Sequence, residues 1–120
     1  MDSYAKSRGI ELIPAIQTLA HLKGVTRWSE YASITATGNI LLMGDERTYA
    51  LIENIVETFR KEYSSQRINI GMDEAFLVGR GRYADIHGNK NRMTAMLDHL
   101  KRVCEIADKY NFKPMMWSDM

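Results

Sequence analysis

Asp73 and Glu74 stand side by side at the end of a short apolar run, Arg67-Ile68-Asn69-Ile70-Gly71-Met72-Asp73. Two carboxylates at one strand end can divide acid–base work, one staying ionised while its neighbour is held protonated. Adjacent acidic residues can also do no more than cap a strand. The small Gly71 just before the pair favours chemistry. So do the polar ends of two further runs of strand length. These are Glu11-Leu12-Ile13-Pro14-Ala15-Ile16-Gln17 and Lys113-Pro114-Met115-Met116-Trp117-Ser118-Asp119. Gln17, Trp117 and Asp119 thereby join the carboxylates as candidates, although an inward Trp also serves as plain core filling.

Positioning these residues requires strands held side by side, and the pattern between the runs supplies the spacers. From Asp45, a residue type whose side chain accepts from orphan helix amides, Tyr49, Ile52, Val56, Phe59 and Tyr63 recur every three or four residues. That spacing predicts an amphipathic helix. A second one is predicted from Asn91 to Tyr110, with Met93, Leu97, Leu100, Val103 or Cys104, and Ala107 on one side. Asp2 to Arg8 reads as the end of another helix, closed by Gly9 in the left-handed conformation. Strands separated by helices need crossovers, so the sheet is expected to be parallel.

Alternation along the strands places Leu12, Pro14, Ile16, Ile68, Ile70 and Met72 on one face. Gln17, Asn69, Gly71, Asp73, Trp117 and Asp119 share the other, which turns polar towards the C-terminal end. Asp73 should then point inward, with Glu74 where the chain leaves the sheet. Pro14 sits awkwardly in this scheme, because it has no N–H for the ladder. Helix-to-strand links are short, whereas Thr18 to Gly44 and Glu74 to Lys90 are long connections on one side of the sheet. Such a side is where α/β barrels carry their chemistry. Within the second connection, Gly79-Arg80-Gly81-Arg82 reads as a solvated flexible loop that could also contact a substrate. His87 and His99 read as an exposed loop residue and a helix-surface residue.

Bulk properties exclude several functions. The chain has 120 residues, 45% apolar and 26% charged, with a formal net charge of +1. This balance offers no electrostatic case for nucleic acid or an anionic membrane as partner. No apolar run approaches the ~18 residues of a membrane span. The N-terminal Met1-Asp2-Ser3-Tyr4-Ala5-Lys6 does not look like a leader peptide, and the single Cys104 suits a reducing, cytoplasmic compartment.

Ile68-Asn69-Ile70-Gly71-Met72-Asp73-Glu74-Ala75 closely resembles the Asp-Glu motif of glycoside hydrolase family 20, the β-N-acetylhexosaminidases. Ile13-Pro14-Ala15-Ile16-Gln17-Thr18-Leu19-Ala20-His21-Leu22 resembles that family's third-strand segment, and Met116-Trp117-Ser118-Asp119-Met120 its fifth-strand motif. Between them, Trp28, Tyr31, Asn39-Ile40-Leu41-Leu42-Met43-Gly44 and Thr48-Tyr49 resemble the connection of one bacterial branch. Two positions depart: Asn69 stands where members often carry His, and Gln17 where many carry an acid, though this branch commonly uses Gln.

The resemblance implies an α/β fold, a partial (β/α)8 (TIM) barrel of about three parallel strands with flanking helices. Residues 1–120 would then be one incomplete catalytic domain. It implies retaining hydrolysis of terminal β-linked N-acetylglucosamine or N-acetylgalactosamine by substrate-assisted catalysis, needing no metal or cofactor. Glu74 would be the general acid/base and Asp73 would orient the acetamide. His21, Gln17, Trp117 and Asp119 would bind the sugar. The first two and last three strands would lie outside the chain, with an Arg, a Tyr and Trp walls of the site. Cut from a barrel, the piece is expected to be inactive alone and to self-associate. The alternative is a non-catalytic α/β scaffold that self-associates.

Overall fold

The computed structural model describes residues 1–118. Its elements begin with helix α1, Asp2–Ser7. Gly9 follows with φ +71° and closes the helix as expected. After the 11–17 segment come a single helical turn, α2 (Lys23–Thr26), and a 3-10 helix, Ser29–Ile34. A small antiparallel hairpin then pairs β1 (Thr35–Thr37) with β2 (Ile40–Leu41). Next are α3 (Glu46–Glu62), β3 (Arg67–Asn69), α4 (Arg82–His87), α5 (Arg92–Lys109) and β4 (Lys113–Met115). The two long connections are therefore built rather than loose. Gly81, in the stretch expected to be flexible, is left-handed, and a Cβ there would approach Ala36 O to 2.6 Å. Arg82 donates to Ala32 O at 3.1 Å.

β3 and β4 run parallel, with Ile68 opposite Pro114. The 11–17 segment joins on the other side of β3 through one parallel bridge, Ala15 to Asn69. Pro14 fits because its missing N–H is not required: its carbonyl accepts from Asn69 N–H at 2.9 Å, and Ile16 N–H donates back to Asn69 O. The strands are shorter than the sequence suggests. β3 ends at Asn69, four residues before Asp73.

The helices follow their caps. Asp45 accepts from Arg47 N–H, and Asn91 accepts from Thr94 N–H. α3 buries Tyr49, Ile52 and Val56 as expected. α5 buries Val103 and Ala107 and packs Leu100 against the core as expected, but it leaves Met93 and Leu97 in solvent and buries Ala95, Met96, His99 and Ile106 instead. The two helices are clasped by Arg102, which pairs with both carboxylate oxygens of Glu46, and by Lys109 paired with Glu53. Their buried faces meet Ile68, Ile70, Met72 and Phe112, closing one side of the sheet. No described helix is long and apolar enough to cross a membrane.

Candidate active site

The carboxylate pair is positioned by a backbone that leaves the ladder abruptly. Gly71 has φ +70°, Met72 +73° and Glu74 +48°. Left-handed geometry at non-glycine residues is costly and persists only where surroundings impose it. Here they do. Met72 is fully buried, and Asn69 Oδ1 accepts from Gly71 N–H at 2.9 Å, starting the turn. Gly71 has no substitute at this point. A Cβ there would lie 2.7 Å from Gln17 Cδ and nearer still to its Oε1.

Gln17 uses both ends of its amide. Nε2 donates to Asp73 Oδ1 at 2.7 Å, while Oε1 accepts from Met72 N–H at 3.3 Å. His21, itself left-handed at φ +59°, comes from the same connection. Its Nε2 lies 3.2 Å from Asp73 Oδ2 and 3.5 Å from Glu74 Oε2, bridging the pair. Asp73 thus has a partner on each oxygen. The Gln17 hydrogen bond, with smaller help from backbone and His21, holds its carboxyl below the usual carboxylate range. Glu74 is more open, its side chain half-exposed.

The structure therefore brings Gln17, His21, Asp73 and Glu74 together. Asp73 reaches the site through the left-handed turn and its two donors, not through strand alternation, since the strand has already ended. Trp117 is tied to the site through its backbone: its N–H donates to Gly71 O at 3.2 Å. Half-exposed rather than set in an inner wall, Trp117 lines an apolar recess of about 200 Å³ with Leu97, Leu100 and Met116. Asp119 lies outside the described residues.

Asn69, marked in the sequence only as a departure from the family pattern, positions the turn through its side chain, and an Asn two residues before a Gly is a local signal for a side-chain-capped turn. Expected on the surface, His99 is buried, with Nε2 3.0 Å from Thr18 O and Nδ1 3.2 Å from Tyr49 OH. Burial depresses its pKa to about 4.

A carboxylate pair just beyond the C-terminal end of parallel strands, on the side of the long connections, is an arrangement able to do acid–base chemistry. Comparison with known proteins narrows the class. No protein-family model matches the chain. Human hexosaminidase D is 25% identical over 121 residues, covering 92% of this chain and 25% of the relative. A solved β-N-acetylhexosaminidase superposes with a TM-score of 0.83 at 14% identity, covering 98% of this chain and 29% of its own. The family 20 exo-β-N-acetylglucosaminidase of Vibrio harveyi, in complex with N-acetylglucosamine, gives 0.78 at 15% identity over 96% of this chain and 21% of its own. Fold and sequence thus agree on the β-N-acetylhexosaminidases of glycoside hydrolase family 20 as the enzymes this chain resembles. It has the mixed α/β fold of part of such enzymes and spans about a quarter of the curated relative.

Proposed function

We propose that this chain is the central part of a (β/α)8-barrel β-N-acetylhexosaminidase and carries that enzyme's catalytic carboxylates. The observation that supports the reading is the unequal setting of the two carboxylates. Asp73 is fixed and kept ionised by Gln17 and His21, while Glu74 projects into the open.

In this reading a terminal β-linked N-acetylhexosamine presents its 2-acetamido group to Asp73. Family 20 is among the retaining glycosidases that rely on the substrate's own group rather than a protein nucleophile. Glu74 donates its proton to the glycosidic oxygen as the acetamide oxygen bonds to the anomeric carbon. The C–O bond breaks, releasing the alcohol and leaving an oxazolinium-type ring. The ionised Asp73 accepts from the acetamide N–H and offsets the positive charge developing on it. Glu74, now a carboxylate, then takes a proton from water, whose oxygen attacks the anomeric carbon and regenerates the acetamide with retention.

His21, bridging both carboxylates, keeps them in register and Gln17 sets Asp73; by the family resemblance Trp117 and Asp119 would bind the sugar. No metal or organic cofactor enters these steps. The partner is the glycoside itself.

The test is turnover of a chromogenic β-N-acetylglucosaminide by the full-length enzyme that carries this segment. Glu74→Gln is expected to lower the rate by about 10²–10⁴-fold. The loss should shrink for an aglycone acidic enough to leave unprotonated. A variant retaining near-normal rates on a poor leaving group would remove Glu74 from the acid role.

A further inference from the structure

Thr18 is the residue next to Gln17, and it is fully buried and held from two sides. Its hydroxyl donates to Ile70 O at 2.8 Å, just before the left-handed turn. Its carbonyl faces His99 Nε2 at 3.0 Å. A carbonyl can only accept, so Nε2 carries the hydrogen, and Nδ1 is then the acceptor. Nδ1 is met by the Tyr49 hydroxyl at 3.2 Å, whose oxygen in turn accepts from Gly44 N–H at 3.2 Å. Every polar atom of this chain of bonds has a partner of the right kind, and it runs from α3 through α5 to the residue beside the Asp73 clamp.

We propose that His99, from the outer helix layer, is a positioning residue for the carboxylate pair. Through Thr18 it fixes the backbone that aims the Gln17 amide at Asp73. The inference rests on reading Asp73 as the acetamide-orienting carboxylate, but its mechanics concern only residues of this chain. An imidazole suits the role because two opposed ring nitrogens span the gap between a helix hydroxyl and a strand-end carbonyl. Apolar packing would fill the space and leave Thr18 O unpaired.

The test follows the Asp73 carboxyl carbon by NMR titration of the full chain. His99→Gln places an amide N–H near the position of Nε2 and should leave the Asp73 midpoint where it is. His99→Asn reaches only as far as Nδ1, so the Thr18 tether is lost. The Asp73 midpoint should then rise towards the ordinary carboxylate range, because the Gln17 hydrogen bond is what chiefly lowers it. Val103→Ala, a cavity one turn along the same helix, controls for general loosening and should not move it. An unchanged midpoint in His99→Asn, or an equal rise in Val103→Ala, overturns the proposal. Should neither amide variant fold, the ring nitrogen chemical shifts of His99 in the unaltered chain decide: a neutral imidazole with its hydrogen on Nε2 is expected, and a hydrogen on Nδ1 instead refutes the tether to Thr18 O. Because no substrate is used, failure here leaves the glycosidase reading standing, and failure of turnover in the full-length enzyme leaves this result standing.

Discussion

Asp73 keeps its charge because both oxygens have partners before any substrate arrives, so binding costs no reorganisation of the carboxylate. In the proposed reaction its electrostatic work would begin only when the acetamide turns cationic, which would make Asp73 a transition-state residue rather than a ground-state anchor. Asp73→Asn in the full-length enzyme is expected to lower kcat while KM changes little. Steady-state kinetics separate the two, and a raised KM at unchanged kcat would make Asp73 a simple binding residue. Gly71 bears on the same atoms from below. Gly71→Ala must displace the Gln17 side chain and hold a left-handed φ with a Cβ in place. A loss of about 1–3 kcal/mol is expected in chemical denaturation, with Asp73 titrating closer to the ordinary carboxylate range. Stability and titration both unchanged would show that Gln17 is not braced against this glycine. The identity of the pair, and of Gln17 and His21 beside it, was legible in the sequence. Its aim was not. Met72, Glu74 and His21 are left-handed for reasons of tertiary contact, and nothing local in an L-residue announces that.

Among the elements, the caps and the three-to-four spacing located both long helices to within a residue or two, because Asp45 and Asn91 satisfy orphan amides whatever surrounds them. The face of α5 was misjudged only in its N-terminal half, at Met93 and Leu97, for a physical reason. The helix carries two apolar stripes. The one that is buried includes a histidine, which periodicity counts as polar until a hydroxyl and a carbonyl are found to satisfy both its nitrogens. The short helices and the hairpin in the 18–44 connection were missed because each is too brief to show a period.

Burying a neutral imidazole between elements has a pH signature. The folded pKa of His99 lies at about 4, against 6.5 for an ordinary histidine. Between these values the unfolded chain binds a proton that the folded chain refuses. Stability from this group is therefore complete above about pH 6.5 and lost as pH falls towards 4. Between pH 7 and pH 5 the loss should be about 2 kcal/mol. Urea denaturation at the two pH values, compared with His99→Gln, isolates it from the carboxylates. An equal pH dependence in the variant would show that His99 is not the titrating group.

At the scale of the molecule, the described residues are extended. Their radius of gyration is 15.1 Å, with principal extents of 51 × 28 × 23 Å. A compact chain of this length would give about 14 Å. One sheet face is closed by α3 and α5. The other leaves Ala15 and Met115 exposed, and Met93, Leu97, Met116 and Trp117 form an uncovered apolar margin beside β4. Each square ångström of such surface costs about 25 cal/mol in water, and the unpaired outer edges of β4 and of the 11–17 segment add donors and acceptors that seek a partner. Alone in solution, this chain is expected to form dimers or larger assemblies. Pairing would cover apolar surface without supplying the further pocket walls that the proposed barrel requires, so no glycosidase turnover is expected from the chain by itself. Light scattering across a concentration series and a chromogenic β-N-acetylglucosaminide assay on the same sample address the two halves separately. A monomer at every concentration would mean that the exposed margin drives no association. Sustained turnover, abolished by Glu74→Gln, would mean instead that the four clustered residues are a sufficient site.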